Sequence, residues 1–308
     1  MTRSSSVVWL RRLRARLLAP VLASLEELQA DSRALRKIAG IALQSRLRQE
    51  AEGIKMQIRA RTPTNPVLWG QKVYAQTDED GILAEIVRRL PDGLAAGRTV
   101  IEIGCGNGTE NNSHNLLLQG WRGVWCDGSP AHVAAIERGL GGLRFPRLWV
   151  CQRFLTAGNI EAFIRDATAF LGTTEPTVLS LDVDGNDLAL LRGALHVCQP
   201  HVVCVEIGAA FPPPIALTMA YRPDHVWAED DYQGSSLQAF VEALRPAYLL
   251  VTCNLSGANA FFVRRDCAAE FEEYAVGDLY QPPRYHLIYL AAGHRPTLKW
   301  LRQILNEA

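Results

Sequence analysis

Thr99-Val100-Ile101-Glu102-Ile103 is a β-branched, mostly apolar run that stops at three alternating glycines, Gly104, Gly106 and Gly108. Such a run reads as a buried strand, and a helical pattern follows it. A strand that ends in a Gly-rich turn and opens a helix brings backbone N–H groups close to a ligand. It also offers that ligand the positive end of a helix dipole.

The spacing is G-x-G-x-G, not the G-x-G-x-x-G of dinucleotide folds. An acid, Glu102, lies inside the strand two residues before the first glycine. Together these suit S-adenosylmethionine (SAM) better than a pyrophosphate. The turn then packs against a nucleoside and a cationic methionine tail, with no phosphate to cradle. A plain βα turn without a ligand is the competing reading.

Strands and helices alternate from this point. Strands are expected at 99–103, 123–126, 147–151, 177–181 and 201–207, with helices over 111–119, 130–138 and 159–170, from 187 through 191, and over 235–244. Two further strands, 248–253 and 260–264, are joined by the polar turn 254–259. That turn is too short for a crossover helix, so the pair is antiparallel. Five βα units closed by an antiparallel hairpin make an α/β, doubly wound, Rossmann-like sheet of seven strands. The terminal hairpin marks the class I methyltransferase sheet, and a plain Rossmann domain lacks it.

Residues 1–60 read as an amphipathic helical extension, with leucines at three- and four-residue steps and arginines between them. Pro20 is expected to kink or divide it. Three readings stay open: a homodimerisation arm, a peripheral contact with the inner membrane face, or a helix packed on its own domain. Residues 61–72 carry two prolines and read as a linker, and 73–308 as the catalytic domain. Within it, an N-cap at Thr77 or Asp78 opens a helix buried through Ile82, Leu83, Ile86, Val87 and Leu90.

The chain has 308 residues, 48% hydrophobic and 21% charged, as in a soluble globular protein. Lys+Arg and Asp+Glu are 32 each, so overall charge gives no argument for nucleic acid, and none is expected as a partner. Seven cysteines form no CxxC pair and mostly lie in strands, which fits reduced thiols in the cytoplasm. The N-terminus is too interrupted by arginine for a secretory signal.

Ligands of open α/β sheets sit outside the carboxyl ends of the strands. The polar residues expected there are Glu102 and the glycines, then Asp127, Asn159, the run Asp182-Val183-Asp184-Gly185-Asn186-Asp187, and Glu206. Asp127 can accept both hydroxyls of an adenosine ribose. Asp182 and Asp184, facing Glu206, can take a proton from a substrate hydroxyl or hold a hard cation such as Mg²⁺. A hydrogen-bonded turn is the plainer alternative. His225 and Trp227 lie in a polar segment after the fifth strand with the position and composition of a substrate lid.

Gln76–Gly81, Ile101–Asn112, Gly120–Gly128, Leu181–Asp187, Tyr232–Leu237 and Gly257–Arg264 resemble the FkbM-type class I methyltransferases. The resemblance spans about residues 70–300 and leaves out the first 60. It implies SAM-dependent O-methyl transfer to a hydroxyl of a sugar, glycan or glycolipid precursor. Carried over residue by residue, Glu102, Gly104, Gly106, Gly108, Asn111, Asp127 and Gly128 hold SAM, and Asp182 sits near the sulfonium and the acceptor. The acid that many such enzymes carry after the third strand is missing, and Asn159 or a backbone group is expected in its place. A non-catalytic scaffold of the same fold and a nicotinamide-dependent oxidoreductase are the rival readings.

Overall fold

The computed structural model describes residues 3–94, 97–142, 144–289 and 295–307, with side chains of the first helix described from Leu18 onward. It resolves into two compact units, Met1–Glu50 and Ala51–Ala308. No helix among the described residues is long and apolar enough to cross a membrane.

Helix α1 (Arg3–Arg61) runs without interruption through Pro20, which corrects the expected division there. A proline keeps a helical φ, but it removes one backbone donor and crowds the carbonyl four residues back, at a cost of about 3 kcal/mol that a long helix can absorb. Pro20 is exposed, so water can satisfy the carbonyl left over. The unit boundary falls at 50, inside this helix, and not at 60.

The segment 61–72 belongs to the second unit and is not a free tether. Its 3₁₀ turn, Pro66–Trp69, is capped by buried Asn65, whose side chain accepts from the Val67 N–H at 3.1 Å. The Thr252 hydroxyl donates to the same Asn65 oxygen at 2.6 Å. The prolines here shape a packed turn.

Seven strands form one sheet: β1 (Thr99–Ile103), β2 (Arg122–Asp127), β3 (Leu148–Gln152), β4 (Val178–Leu181), β5 (Val202–Glu206), β6 (Tyr248–Cys253) and β7 (Asn259–Arg264). Their spatial order is β3-β2-β1-β4-β5-β7-β6. The first five are mutually parallel, and β7 is antiparallel to both β5 and β6. This is the sheet, with its closing hairpin, that the sequence pattern implies. The order reverses direction at β1 and β4, and the carboxyl ends of those strands flank the crevice where open α/β sheets bind ligands.

The intervening helices are α2 (Glu79–Arg88), α3 (His114–Leu118), α4 (Pro130–Leu140), α5 (Ile160–Leu171), α6 (Asp187–Leu195) and α7 (Leu237–Leu244), followed by α8 (Val276–Leu279) and α9 (Lys299–Asn306). Strands buried on both faces read as continuous apolar runs, and β1 and β4 are buried at every position. Ile101, Ile103, Leu179 and Leu181 pack in one core with Phe163, Ile164 and Phe240 from α5 and α7.

The Gln76–Gly81 segment ties α2 to the terminal hairpin. Glu79 accepts from Asn254 at 2.6 Å and from Asn259 at 3.2 Å. One oxygen of Asp80 takes the N–H groups of Val73, Tyr74 and Ala75 at 2.6–2.8 Å. Burial pushes Asp80 up to about 6, against the pull of those donors.

Candidate active site

A cavity of about 620 Å³ opens at the carboxyl ends of β1, β2, β4 and β5. Gly104 and Gly106 form one wall, Asp127 and Gly128 a second, and Asp182, Asp184 and Glu206 a third. A smaller pocket of about 210 Å³ adjoins it, lined by Glu102, Asn111 and Asn112 together with Gly104 and Gly106.

The glycine turn is demanded by close packing. Gly104 has φ +82°, and a Cβ there would lie 1.5 Å from the Asp182 carbonyl oxygen. Gly108 has φ +78°, and a Cβ would lie 2.8 Å from the Trp125 ring. A side chain at Gly104 would drive the end of β1 from β4, and one at Gly108 would press on the Trp125 ring.

Glu102 is 4% exposed and turned inward. Its carboxylate accepts from Asn111 Nδ2 and Asn112 N, both at 2.8 Å, from Ser113 N at 3.0 Å, and from the Ser113 hydroxyl. Three of these donors converge on Oε2 and one on Oε1, so Oε1 keeps a lone-pair site. Glu102 therefore fixes the loop after the glycines, and it also lines the smaller pocket. Burial raises its pKa, and the surrounding donors pull it back. Asn111 spends its amide on Glu102 and keeps a buried oxygen without a hydrogen bond.

Asp127 stands at the end of β2. One oxygen accepts the Gly106 N–H at 2.8 Å, and the other accepts Ser129 N at 2.8 Å and meets His132 Nδ1 at 3.1 Å. The carboxylate thus braces the glycine turn from β2 and keeps one lone-pair site toward the cavity.

Asn159 is not among the cavity-lining residues. It closes its own turn, accepting from Thr156 N at 2.8 Å and donating to Phe154 O at 3.1 Å. The expected contact with the cofactor base is corrected: an Asn before a helix is satisfied locally, as such residues usually are. Arg153, Phe154 and Leu155 occupy the cavity wall at the end of β3 in its place.

At the end of β4, the acidic run divides by role. Asp187 is buried and accepts Val183 N at 2.8 Å and Gly185 N at 2.9 Å, so it holds the turn. Asn186 donates to Arg222 O at 2.7 Å and so ties down the segment after β5. Asp182, Asp184 and Glu206 are left facing the cavity, with one carboxylate oxygen from each within 4.8 Å of the others. The Asp182 and Glu206 carboxyls crowd one another there, each bringing an oxygen within 4.8 Å of the other. Burial first, and repulsion from neighbouring acids second, raise both pKa values. Asp184 takes a positive φ of 55°, and its carbonyl lies 3.1 Å from His225 Nε2.

The segment between β5 and α7 contributes to the lining of the cavity. His225, Val226 and Trp227 line it, and the Trp227 indole is fixed by donating to Asp230 O at 2.8 Å. Tyr221 accepts from Ala157 N at 2.9 Å, which joins this segment to the loop after β3.

Gln76, His132 and Phe154 also line the cavity, and sequence reasoning passed over all three. His132 could have been found from its place in the first turn of the helix after Asp127. Gln76 opens the Gln76–Gly81 segment that carries part of the resemblance, but its place at the cavity depends on the fold, where that segment is bonded to the terminal hairpin.

Sequence comparison finds no matching family model and no matching curated protein. Among solved structures, the chain is similar to the carbon methyltransferase CurJ, at 13% identity over 62% of this chain, with a TM-score of 0.39. It spans about half of that chain's length, 53%. It is also similar to an O-methyltransferase family protein from Burkholderia thailandensis, at 14% identity over 70% of each chain and a TM-score of 0.36. A third similarity is to the O-methyltransferase from Bacillus cereus in complex with SAH, at 15% identity over 70% of this chain and 90% of that one, again with a TM-score of 0.36.

Proposed function

We propose that this chain is a SAM-dependent methyltransferase acting on a hydroxyl of a sugar, glycan or glycolipid precursor. One observation carries the reading. The cavity at the switch point of a 3-2-1-4-5-7-6 sheet is walled by a glycine turn and by Asp127, Asp182, Asp184 and Glu206. Acidic walls suit a sulfonium and an ammonium group, and they repel the pyrophosphate of a nicotinamide cofactor.

Residues would divide the work as follows. Asp127 accepts one ribose hydroxyl, Gly104 and Gly106 admit the methionine portion to the backbone, and Phe154 offers an apolar face to the base. The acceptor enters beneath Trp227, whose ring suits the apolar face of a sugar. The acceptor oxygen attacks the methyl carbon in line, the carbon–sulfur bond breaks, and the sulfur leaves as a neutral thioether. The ionised member of the Asp182–Glu206 pair takes the hydroxyl proton. Proximity and alignment supply most of the acceleration, and the carboxylate the rest.

A second reading of the same acids is favoured by their spacing. Asp182, Asp184 and Glu206 present only oxygen donors, the set that suits a hard cation such as Mg²⁺. A bound cation would lower the pKa of the acceptor hydroxyl. The described cysteines are all free thiols, which fits the reading of a cytoplasmic enzyme. Incubation with labelled SAM and a panel of nucleotide sugars and glycolipid precursors tests the proposal. Methylated product supports it, and turnover of nicotinamide cofactors instead overturns it.

A further inference from the structure

Helix α1 carries a stripe of apolar side chains in the open: Leu18, Val21, Leu25, Leu28 and Leu35 are 43–66% exposed. Their spacing alternates between three and four residues, with Ser32 completing the step between Leu28 and Leu35. Continued through Ala39 and Ala42, this is a heptad seam whose a positions are Leu18, Leu25, Ser32 and Ala39 and whose d positions are Val21, Leu28, Leu35 and Ala42. A seam repeating every 3.5 residues over three to four heptads is buried by supercoiling with another helix.

We propose that residues 18–43 pair with the same segment of a second copy of this chain, as a parallel, in-register coiled coil. The flanking positions select that partner and that direction. In a parallel pair, each g residue meets the e residue five places on in the partner helix. Ser24 then meets Gln29, Asp31 meets Arg36, and Ile38 meets Leu43, so polar faces polar, acid faces base and apolar faces apolar. In an antiparallel pair g meets g, and the g positions Ser24, Asp31 and Ile38 hold no base for Asp31. Within the seam itself charge is balanced, with Glu26, Glu27 and Asp31 against Arg33, Arg36 and Lys37, so this stretch has no net attraction for an anionic bilayer, and the arginine surplus of the chain's start, Arg3, Arg11, Arg12, Arg14 and Arg16, lies outside it. Ser32 at a core position is the kind of polar residue that fixes register at a cost in stability.

The test uses the full chain. Sedimentation equilibrium is expected to give twice the chain mass. Leu25→Glu with Leu28→Glu is expected to give the single-chain mass with helix content of the folded domain retained. Asp31→Arg weakens self-association at least tenfold, and adding Arg36→Asp restores it. Under mild oxidation Leu28→Cys cross-links to itself across the pair. A single-chain mass for the unaltered protein at micromolar concentration overturns the proposal, with or without binding to phosphatidylglycerol vesicles. A dimer that ignores the Asp31–Arg36 exchange and gives no Leu28→Cys cross-link overturns the parallel pairing. None of these readouts depends on methyl transfer.

Discussion

The backbone of Gly104 passes so close to Asp182 that a Cβ on the glycine would fall 1.5 Å from the Asp182 carbonyl oxygen. The proposed cofactor turn on β1 and the proposed acceptor site on β4 are therefore one packed contact. Gly104→Ala is expected to break both. Its left-handed φ costs about 1–2 kcal/mol in any L-residue, and the overlap adds about 1–3 kcal/mol. Denaturant unfolding checks the stability loss. A variant of unaltered stability and SAM affinity would show that the two strands can part without consequence.

Asp127→Ala removes a carboxylate that holds the Gly106 N–H and, in the proposed binding mode, a ribose hydroxyl. A hydrogen bond to a charged group is worth about 1.5–3 kcal/mol, so affinity for SAM should fall by roughly 10- to 150-fold. Isothermal titration measures it. Asn159→Ala serves as the contrast. Its side chain is spent within its own turn, so stability falls by about 1 kcal/mol while SAM affinity stays unchanged.

Asp182→Asn and Glu206→Gln should lower turnover by about 10²–10⁴-fold with SAM binding retained, since a positioned base contributes on that scale. The raised pKa values place proton release from the pair above the ordinary carboxylate range, so activity should climb with pH until the base is free. The alkaline rise should vanish in Asp182→Asn. Dialysis against EDTA is expected to leave turnover unchanged if the pair acts as base. Loss of activity restored by Mg²⁺ would instead make Asp182, Asp184 and Glu206 ligands.

Buried acids also set a pH dependence of folding. Asp78 is pushed up to about 7, and Asp80 and Asp187 to about 6, mainly by burial. Raised carboxyl pKa values mean that the folded chain binds more protons than the unfolded one between about pH 4 and 7. Their contribution is therefore present in full below about pH 4 and lost as pH rises through about 6 to 7. Asp80→Asn removes one such group, so the stability gap between it and the unaltered chain should shift in the variant's favour by on the order of 3 kcal/mol from about pH 4 to pH 8. Urea midpoints across that range decide it, and a gap that widens with pH refutes the assignment.

Much of the fold was legible because it rests on local pattern. The run 99–103 announces a doubly buried strand, and the 254–259 turn is too short to be anything but a hairpin. The site was legible only as a set of strand ends. Glu102 illustrates the limit: its position in the motif is plain, but which groups fill its oxygens depends on how residues 111–113 fold back, and no spacing reports that. Asn159 fails for a related reason, since a short polar side chain before a helix finds its partners locally. Gln76 reaches the cavity only through contacts between α2 and the hairpin, which lie far apart in the chain. Pro20 was read by its general effect on helices, which an exposed position softens.

The most direct test of the central claim is calorimetric titration of the full chain with SAM and, separately, with NAD. Saturable binding of SAM at one site per chain is predicted, displaced by S-adenosylhomocysteine and weakened by Asp127→Ala, with no heat from NAD. Absence of SAM binding to the folded chain would contradict the claim.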